Sequence, residues 1–215
     1  MISGILLAAG KGSRFGNNNN KLLHPLPDGT PVAVAAARKL VSVLPDSLAV
    51  IRPGEEELAR LLAAEGLKLA VNQQAERGIG SSLACGVAAA AQVEGWVIAL
   101  GDMPFIQTAT LGGIVDLLKQ GACLAAPDYA GKRGHPVGFS QRLRGELEAL
   151  QGDTGARRLL QRYAQDLQYL RVADPGILQD IDTPLDIPAN YSLSIINYQL
   201  SIINYQLSID IPAGF

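Results

Sequence analysis

The segment that most constrains this chain lies near its N-terminus, where the apolar run Ile5-Leu6-Leu7-Ala8 enters Ala9-Gly10-Lys11-Gly12-Ser13-Arg14-Phe15-Gly16. A short apolar run opening into a glycine-rich turn reads as a buried strand feeding a loop. Glycines let backbone N–H groups turn inward and approach an anion, and Lys11 and Arg14 add positive charge at the same place. Lys21 follows closely enough to reach the same anion. A plain glycine turn with solvent-facing cations is the competing reading, and the loop alone does not separate the two. A nicotinamide-binding βαβ unit is a third. Against it, Phe15 stands where the third glycine of G-x-G-x-x-G belongs, and the second strand ends in Arg52-Pro53 rather than a ribose-binding acid.

Downstream, short apolar runs alternate with helical patterns. Strands are expected at 48–51, 67–71, 96–100 and 122–126, and helices at 31–43, 55–64, 81–91 and 108–119. Such alternation implies parallel strands joined by right-handed crossovers, with helices on both faces of the sheet. Ligands of such sheets bind beyond the carboxyl ends of the strands, the edge where the glycine loop lies. After Pro127 the pattern becomes α+β-like, with a strand at 136–140, helices at 143–150 and 155–165, and a short strand at 167–172.

The length of 215 residues suits one large α/β domain. Lys+Arg 18 against Asp+Glu 20 gives a net charge of −2, so there is no global basic field for nucleic acid or a membrane surface, and any anion site is local. No apolar run reaches the roughly 18 residues of a membrane span, and the N-terminus lacks a basic signal region. Cys85 and Cys123 lie in apolar stretches and suit reduced thiols, so a cytoplasmic location is expected. The tail is of another kind: residues 194–200 and 201–207 both read SIINYQL. A working domain over 1–190 and a non-catalytic extension over 191–215 are expected, the alternative being an edge-strand or heptad-like interaction segment.

A second chemical signal is Gly101-Asp102-Met103-Pro104, directly after the apolar run 96–100. An Asp at a strand's carboxyl end faces the ligand crevice, where it can hold Mg²⁺ against phosphates; alone, the same pair would read as a turn or helix cap.

With these segments go Lys21, RGIGSSLACGV, GKRGHPVGF, GDTGARRLL and DIDTPLD. In this order they make the chain resemble the MobA-like nucleotidyltransferases, and among them the molybdenum cofactor cytidylyltransferases, over residues 2–187. The resemblance implies a Rossmann-like three-layer α/β/α nucleotidyltransferase fold with a mostly parallel sheet, and nucleotidyl transfer with release of pyrophosphate. It implies that Leu7, Ala8, Ala9, Gly10 and Gly12 cradle the nucleotide, and that Arg14 and Lys21 neutralise its phosphates. Asp102 becomes the principal Mg²⁺ ligand and Asp182 the second carboxylate, with a helix cap before Pro184 as the plain alternative for Asp182. Gly80, Ser81 and Ser82 would leave room beside base and ribose, or the serines would be N-caps. Guanylyl-transferring relatives begin with LAGG and an Arg-Met-Gly, whereas Leu7-Ala8-Ala9-Gly10 and Arg14-Phe15-Gly16 resemble the cytidylyl branch, so CTP is expected.

His135, beside Lys132-Arg133, and Arg157 are implied to face the acceptor, the pterin phosphate of the molybdenum cofactor; a basic turn with a structural histidine is the alternative. A molybdoenzyme of the xanthine dehydrogenase type is the implied recipient. Use of GTP or a sugar phosphate, a cofactor-carrying chaperone without turnover, and an NAD-dependent oxidoreductase remain as rival functions. One departure from the pattern is the run of four asparagines at 17–20, which leaves the placement of Lys21 open.

Overall fold

The computed structural model describes residues 1–10, 20–90 and 92–187. Lys11, Gly12 and Arg14 of the glycine loop and the tail repeats lie outside the described residues. The first half alternates as its apolar runs require: β1 (Ile2–Leu7), α1 (Val32–Val43), β2 (Leu48–Ile51), α2 (Glu56–Ala64), β3 (Lys68–Val71), α3 (Ile79–Ala89), β4 (Gly95–Leu100) and α4 (Thr108–Lys119). There follow β5 (Leu124–Tyr129), β6 (Lys132–Arg133), β7 (Val137–Ser140), α5 (Arg144–Glu148), α6 (Arg157–Arg162) and β8 (Leu167–Arg171).

Local chemistry accounts for several of these elements. All six residues of β1, ISGILL, are buried, as in a strand covered on both faces, and the Ser3 hydroxyl among them donates to Asp46 O at 2.8 Å. Glu56 and Glu57 occupy the first turn of α2, where carboxylates oppose the positive end of the helix dipole, and Leu58 and Leu62 lie one turn apart on its buried face. Lys119 sits favourably in the last turn of α4.

The eight-stranded sheet runs β3-β2-β1-β4-β7-β5-β6, with β8 paired to β5. The β3-β2-β1-β4 part is parallel, as expected. One feature differs from the sequence reading: β7 inserts between β4 and β5 and is antiparallel to both. The cause is a tight reversal after β5. Ala130 (φ 52) and Gly131 (φ 77) both take left-handed backbone, the combination of a two-residue hairpin turn that follows strand twist, and Tyr129 pairs directly with Lys132. The chain therefore returns beside β5 instead of crossing over a face, while β8 restores a parallel neighbour on β5's other edge.

Successive strand residues feed opposite cores. Leu6, Val97 and Ala99 join Leu40, Leu58, Leu111 and Ile114 on the α1, α2 and α4 side. Ile5, Leu7, Trp96 and Ile98 join Leu83, Leu147 and Leu160 on the α3, α5 and α6 side. This gives three layers, α/β/α. Burial of each large aliphatic side chain contributes on the order of 2 kcal/mol, so neither face is dispensable. Among the described residues no helix is long and apolar enough to cross a membrane.

Candidate active site

Parallel pairing of β1 with β4 sets Leu7 opposite Leu100, so Ala8-Ala9-Gly10 and Gly101-Asp102 leave the sheet side by side. The Gly101 N–H donates to the Leu7 carbonyl at 2.9 Å and Ala8 N–H to Val50 O at 2.8 Å, which locks both exits to the sheet edge. Asp102 thus stands at a strand end beside the glycine loop. It is partly open to solvent, where an ionised carboxylate incurs little desolvation penalty.

Lys21 reaches the same point from the α1 face. Asn20, last of the four asparagines, caps a short 3-10 turn by accepting the Leu22 N–H at 3.0 Å, and its amide donates to Glu55 Oε2 at 2.6 Å. Arg52 in turn holds Glu55 at 2.7 Å. Leu22 packs into the core beneath, so the asparagine run ends in a well-anchored turn and the placement of Lys21 is settled. Its ammonium lies 2.6 Å from Asp102 Oδ2 and 3.0 Å from Asp182 Oδ1. Burial lowers the lysine pKa, but the Asp102 and Asp182 carboxylates outweigh it, and the net shift is upward. Lys21 therefore remains charged at neutral pH.

Asp182 arrives from the far end of the chain. Ile181, fully buried with Leu26, Val32 and Ala35, donates its N–H to Asp102 O at 2.9 Å and fixes the incoming peptide. The N-cap of the following Pro184–Asp186 turn is Thr183, not Asp182, and Asp186 completes a capping box by accepting the Thr183 N–H at 2.6 Å. The carboxylate of Asp182 is left to face Lys21.

Lys21 and Asp102 border a cavity of about 450 Å³ whose other wall includes Glu76, Gly78, Ile79, Ser82 and Asp153, with Asp182 behind them on Lys21. That wall is two segments in close contact. At Gly78 (φ 95) an added Cβ would fall 2.2 Å from Asp153 Oδ1 and 2.6 Å from the Gly152 carbonyl carbon. Gly80 donates its N–H to Gly152 O at 2.9 Å, and a Cβ there would meet Gln151 backbone at 2.8 Å. The room that the sequence reading gave to base and ribose at Gly80 is filled by the 151–153 loop. The Ser81 hydroxyl lies 2.8 Å from both Gln74 O and Gly78 O and accepts from Asn72 Nδ2 at 3.0 Å, so it braces the wall from behind. Ser82 accepts from the same amide at 3.1 Å and lines the cavity. Leu7, Ala9 and Gly10 also line it, whereas Ala8 turns into the core. Asn72 and Glu76 are contributors that sequence reading passed over, and Asp153, whose plain reading is a helix cap, lines the cavity instead; a polar residue directly after the run of β3 was the available signal for Asn72.

The expected basic acceptor surface divides. Lys132 and Arg133 are exposed on the hairpin, but the His135 ring turns its Nδ1 inward, sealed from solvent with no partner. Burial brings its pKa down to about 4, against the opposing charge of Asp102, so the imidazole is neutral at pH 7. Arg157 is exposed at the start of α6. Unfolded His135 would titrate near 6.5, above its folded value of about 4, so stability is full above pH 6.5 and declines as pH falls through that window. We expect the wild type to lose about 3 kcal/mol more than His135→Gln between pH 7.5 and 4, read from urea midpoints. Parallel pH profiles for the two proteins would contradict a buried neutral histidine.

Comparison with known proteins follows this geometry. A family model described as the MobA-like NTP transferase domain matches residues 4–167. The purine catabolism protein PucB of Bacillus subtilis is 32% identical over 194 residues, covering 85% of this chain and 92% of PucB. The nicotine blue oxidoreductase of Paenarthrobacter nicotinovorans is 29% identical over 190 residues, covering 85% of this chain and 92% of that protein. The crystal structure of Rv0371c from Mycobacterium tuberculosis superposes with a TM-score of 0.74 at 30% identity, over 86% of this chain and 94% of that one. A manganese complex of Rv0371c superposes with a TM-score of 0.71 at 27% identity, over 86% of this chain and 95% of that one.

Proposed function

Because the chain belongs to the MobA-like NTP transferase family and is a nucleotidyltransferase of that family, we propose that it transfers the cytidylyl group of CTP to the phosphate of the molybdenum cofactor and releases pyrophosphate. The observation that carries this reading is the convergence of Asp102 and Asp182 on Lys21, at 2.6 and 3.0 Å, with Lys21, Asp102 and Gly10 lining one cavity.

The cluster fits a divalent ion. Asp102 and Asp182 offer hard carboxylate oxygens that already converge on one cationic centre. Among the described residues no group of three or more His, Cys, Asp or Glu could hold a metal. Two carboxylates are the set by which Mg²⁺ is commonly held, its shell completed by phosphate oxygens and water. The manganese complex of Rv0371c supports a divalent ion in a relative. Bound there, Mg²⁺ would supply neutralisation of phosphate charge.

In the transfer, an oxygen of the acceptor phosphate forms a bond to the α-phosphorus as the bond to the bridging oxygen of the β-phosphate breaks. Pyrophosphate leaves with that electron pair, and no covalent enzyme intermediate is needed. This chain's part is positioning and electrostatics. Lys21, still charged, meets the growing negative charge, and the glycine loop with Arg14 is assigned to the phosphates. The wall of Gly78, Ser82 and Asp153 encloses the nucleoside. His135, turned inward and neutral, is withdrawn from an acceptor phosphate, and the exposed Lys132, Arg133 and Arg157 are the cations left to meet it. The product would pass to a molybdoenzyme of the xanthine dehydrogenase type in the cytoplasm.

One relative's name is that of an oxidoreductase, and a nicotinamide-dependent reaction is the rival class. The carboxylate and lysine cluster favours transfer, because hydride exchange has no use for paired carboxylates around a phosphate-neutralising cation.

The test is pyrophosphate release with CTP, GTP, ATP and UTP in turn, with molybdenum cofactor and excess Mg²⁺ present. CTP is expected to be preferred by at least about tenfold, since each buried polar group left unpaired by the wrong base costs roughly 1–3 kcal/mol. Equal use of GTP would make this a guanylyltransferase. Tight binding of every nucleotide without turnover would favour a carrier of the cofactor.

A further inference from the structure

Asp186 has no part in the transfer described above, yet it makes three contacts to the peptide that carries Asp182. Its Oδ2 accepts from Asp182 N at 3.0 Å, Thr183 N at 2.6 Å and Thr183 Oγ1 at 3.0 Å. The Pro184–Asp186 turn folds the chain back so that this single oxygen lies beneath two successive N–H groups. These bonds hold the Asp186 carboxyl below the usual carboxylate range, the Thr183 N–H contributing most, and the oxygen stays anionic at neutral pH.

The other side of Asp182 is fixed independently. Ile181 is fully buried and bonds the backbone of Asp102 at 2.9 Å. With both neighbouring peptides held, the Asp182 carboxylate has a defined origin and reaches Lys21 at 3.0 Å, while Asp102 approaches the same ammonium at 2.6 Å. The Thr183–Asp186 contacts form a capping box that by itself anchors the turn, and the same oxygen reaches one residue beyond that box to take the Asp182 N–H.

We propose that Asp186 is a positioning residue: by clamping the 182–183 backbone it presents Asp182 to the divalent-metal site shared with Asp102. The inference rests on the reading of Asp182 as a metal ligand given above. Loss of the clamp frees the 182–183 peptides to rotate, and Asp182 then samples orientations that no longer converge with Asp102. An Asn at 186 keeps one oxygen that can accept the same donors, so the charge itself is secondary to the geometry.

The experiment measures Mn²⁺ binding to the full-length chain, without nucleotide, from the free-ion signal in electron paramagnetic resonance. Asp182→Asn sets the scale and is expected to weaken Mn²⁺ binding at least tenfold. Asp186→Ala is expected to weaken it at least fivefold with a melting temperature within a few degrees of wild type, whereas Asp186→Asn stays within twofold. In the double variant Asp182→Asn/Asp186→Ala, affinity is expected to fall no further than with Asp182→Asn alone, the signature of one residue acting through the other. If Asp182→Asn weakens binding but Asp186→Ala does not, or if the two losses add in full, the positioning role is wrong while the metal site stands. If Asp182→Asn leaves Mn²⁺ binding unchanged, or the wild type binds none, the metal reading fails and takes this inference with it.

Discussion

Asp102→Asn is expected to cut pyrophosphate release by about 10³-fold, equivalent to about 4 kcal/mol of transition-state stabilisation, in a protein that still folds. The substitution preserves shape and removes charge. Lys21 Nζ lies 2.6 Å from Asp102 Oδ2 and 3.0 Å from Asp182 Oδ1, so the variant leaves one carboxylate where two converged. A divalent ion held by a single anionic ligand binds less well and is less firmly placed against the phosphates. The carbonyl of residue 102 accepts from Ile181 N at 2.9 Å, a bond that Asn keeps, and although its ion pair with Lys21 is weakened, Asn retains an oxygen for the ammonium and Asp182 still opposes its charge. Melting temperature and turnover should therefore separate cleanly. A folded Asp102→Asn protein that released pyrophosphate at near the wild-type rate would remove Asp102 from the catalytic site.

Asp174→Ala is expected to be the most destabilising of the changes considered, at about 4 kcal/mol, with a fall of roughly 10 °C in melting temperature. Asp174 is 2% exposed. One oxygen accepts from Gln107 N at 2.9 Å and Thr110 Oγ1 at 2.7 Å, the other from Gly176 N at 3.0 Å. It thereby ties the 174–178 segment to the start of α4, immediately after the loop that bears Asp102. Lys39 donates to Pro104 O at 2.6 Å in the same region; burial lowers its pKa, and the charge of Asp174 opposes that shift. Removing the carboxylate strands three donors and takes away the buried lysine's counter-charge, and each unsatisfied group costs about 1–3 kcal/mol. Asp174→Asn keeps an acceptor oxygen and should cost less than half as much. Denaturant unfolding of both variants checks the ordering, and a loss below about 1 kcal/mol for Asp174→Ala would mean that water replaces the carboxylate.

Much of the fold was legible along the chain because it follows from local periodicity. The apolar runs at β2 and β4 and the helical spacing of α1, α2 and α4 identify elements within a residue or two of their ends, since burial on a strand or helix face repeats at short intervals, whereas β1 begins three residues before its run at Ile5 because Ser3 and Gly4 interrupt the apolar pattern. The insertion of β7 was not legible. An apolar run states that a strand is buried but not which strands flank it, and the deciding event was the left-handed turn at Ala130 and Gly131.

The candidate site divides in the same way. Glycine loop, Asp102 and Lys21 could be named from residue type and position, because phosphate chemistry restricts which side chains are useful, and Asp182 only from the family resemblance of its motif. Their meeting could not be read from spacing: Lys21 and Asp182 stand 161 residues apart and are joined through pairing of β1 with β4 and burial of Ile181. Gly80 and Ser81 have the composition of a ligand wall, yet the 151–153 loop packs on one and backbone carbonyls engage the other. His135 carried the chemistry of an anion contact until the fold turned its ring inward, where desolvation removes the charge. Residue type sets what a side chain can do, and the sequence alone determined that much. Direction, solvent exposure and neighbours set what it does, and these arise only when segments distant along the chain pack together.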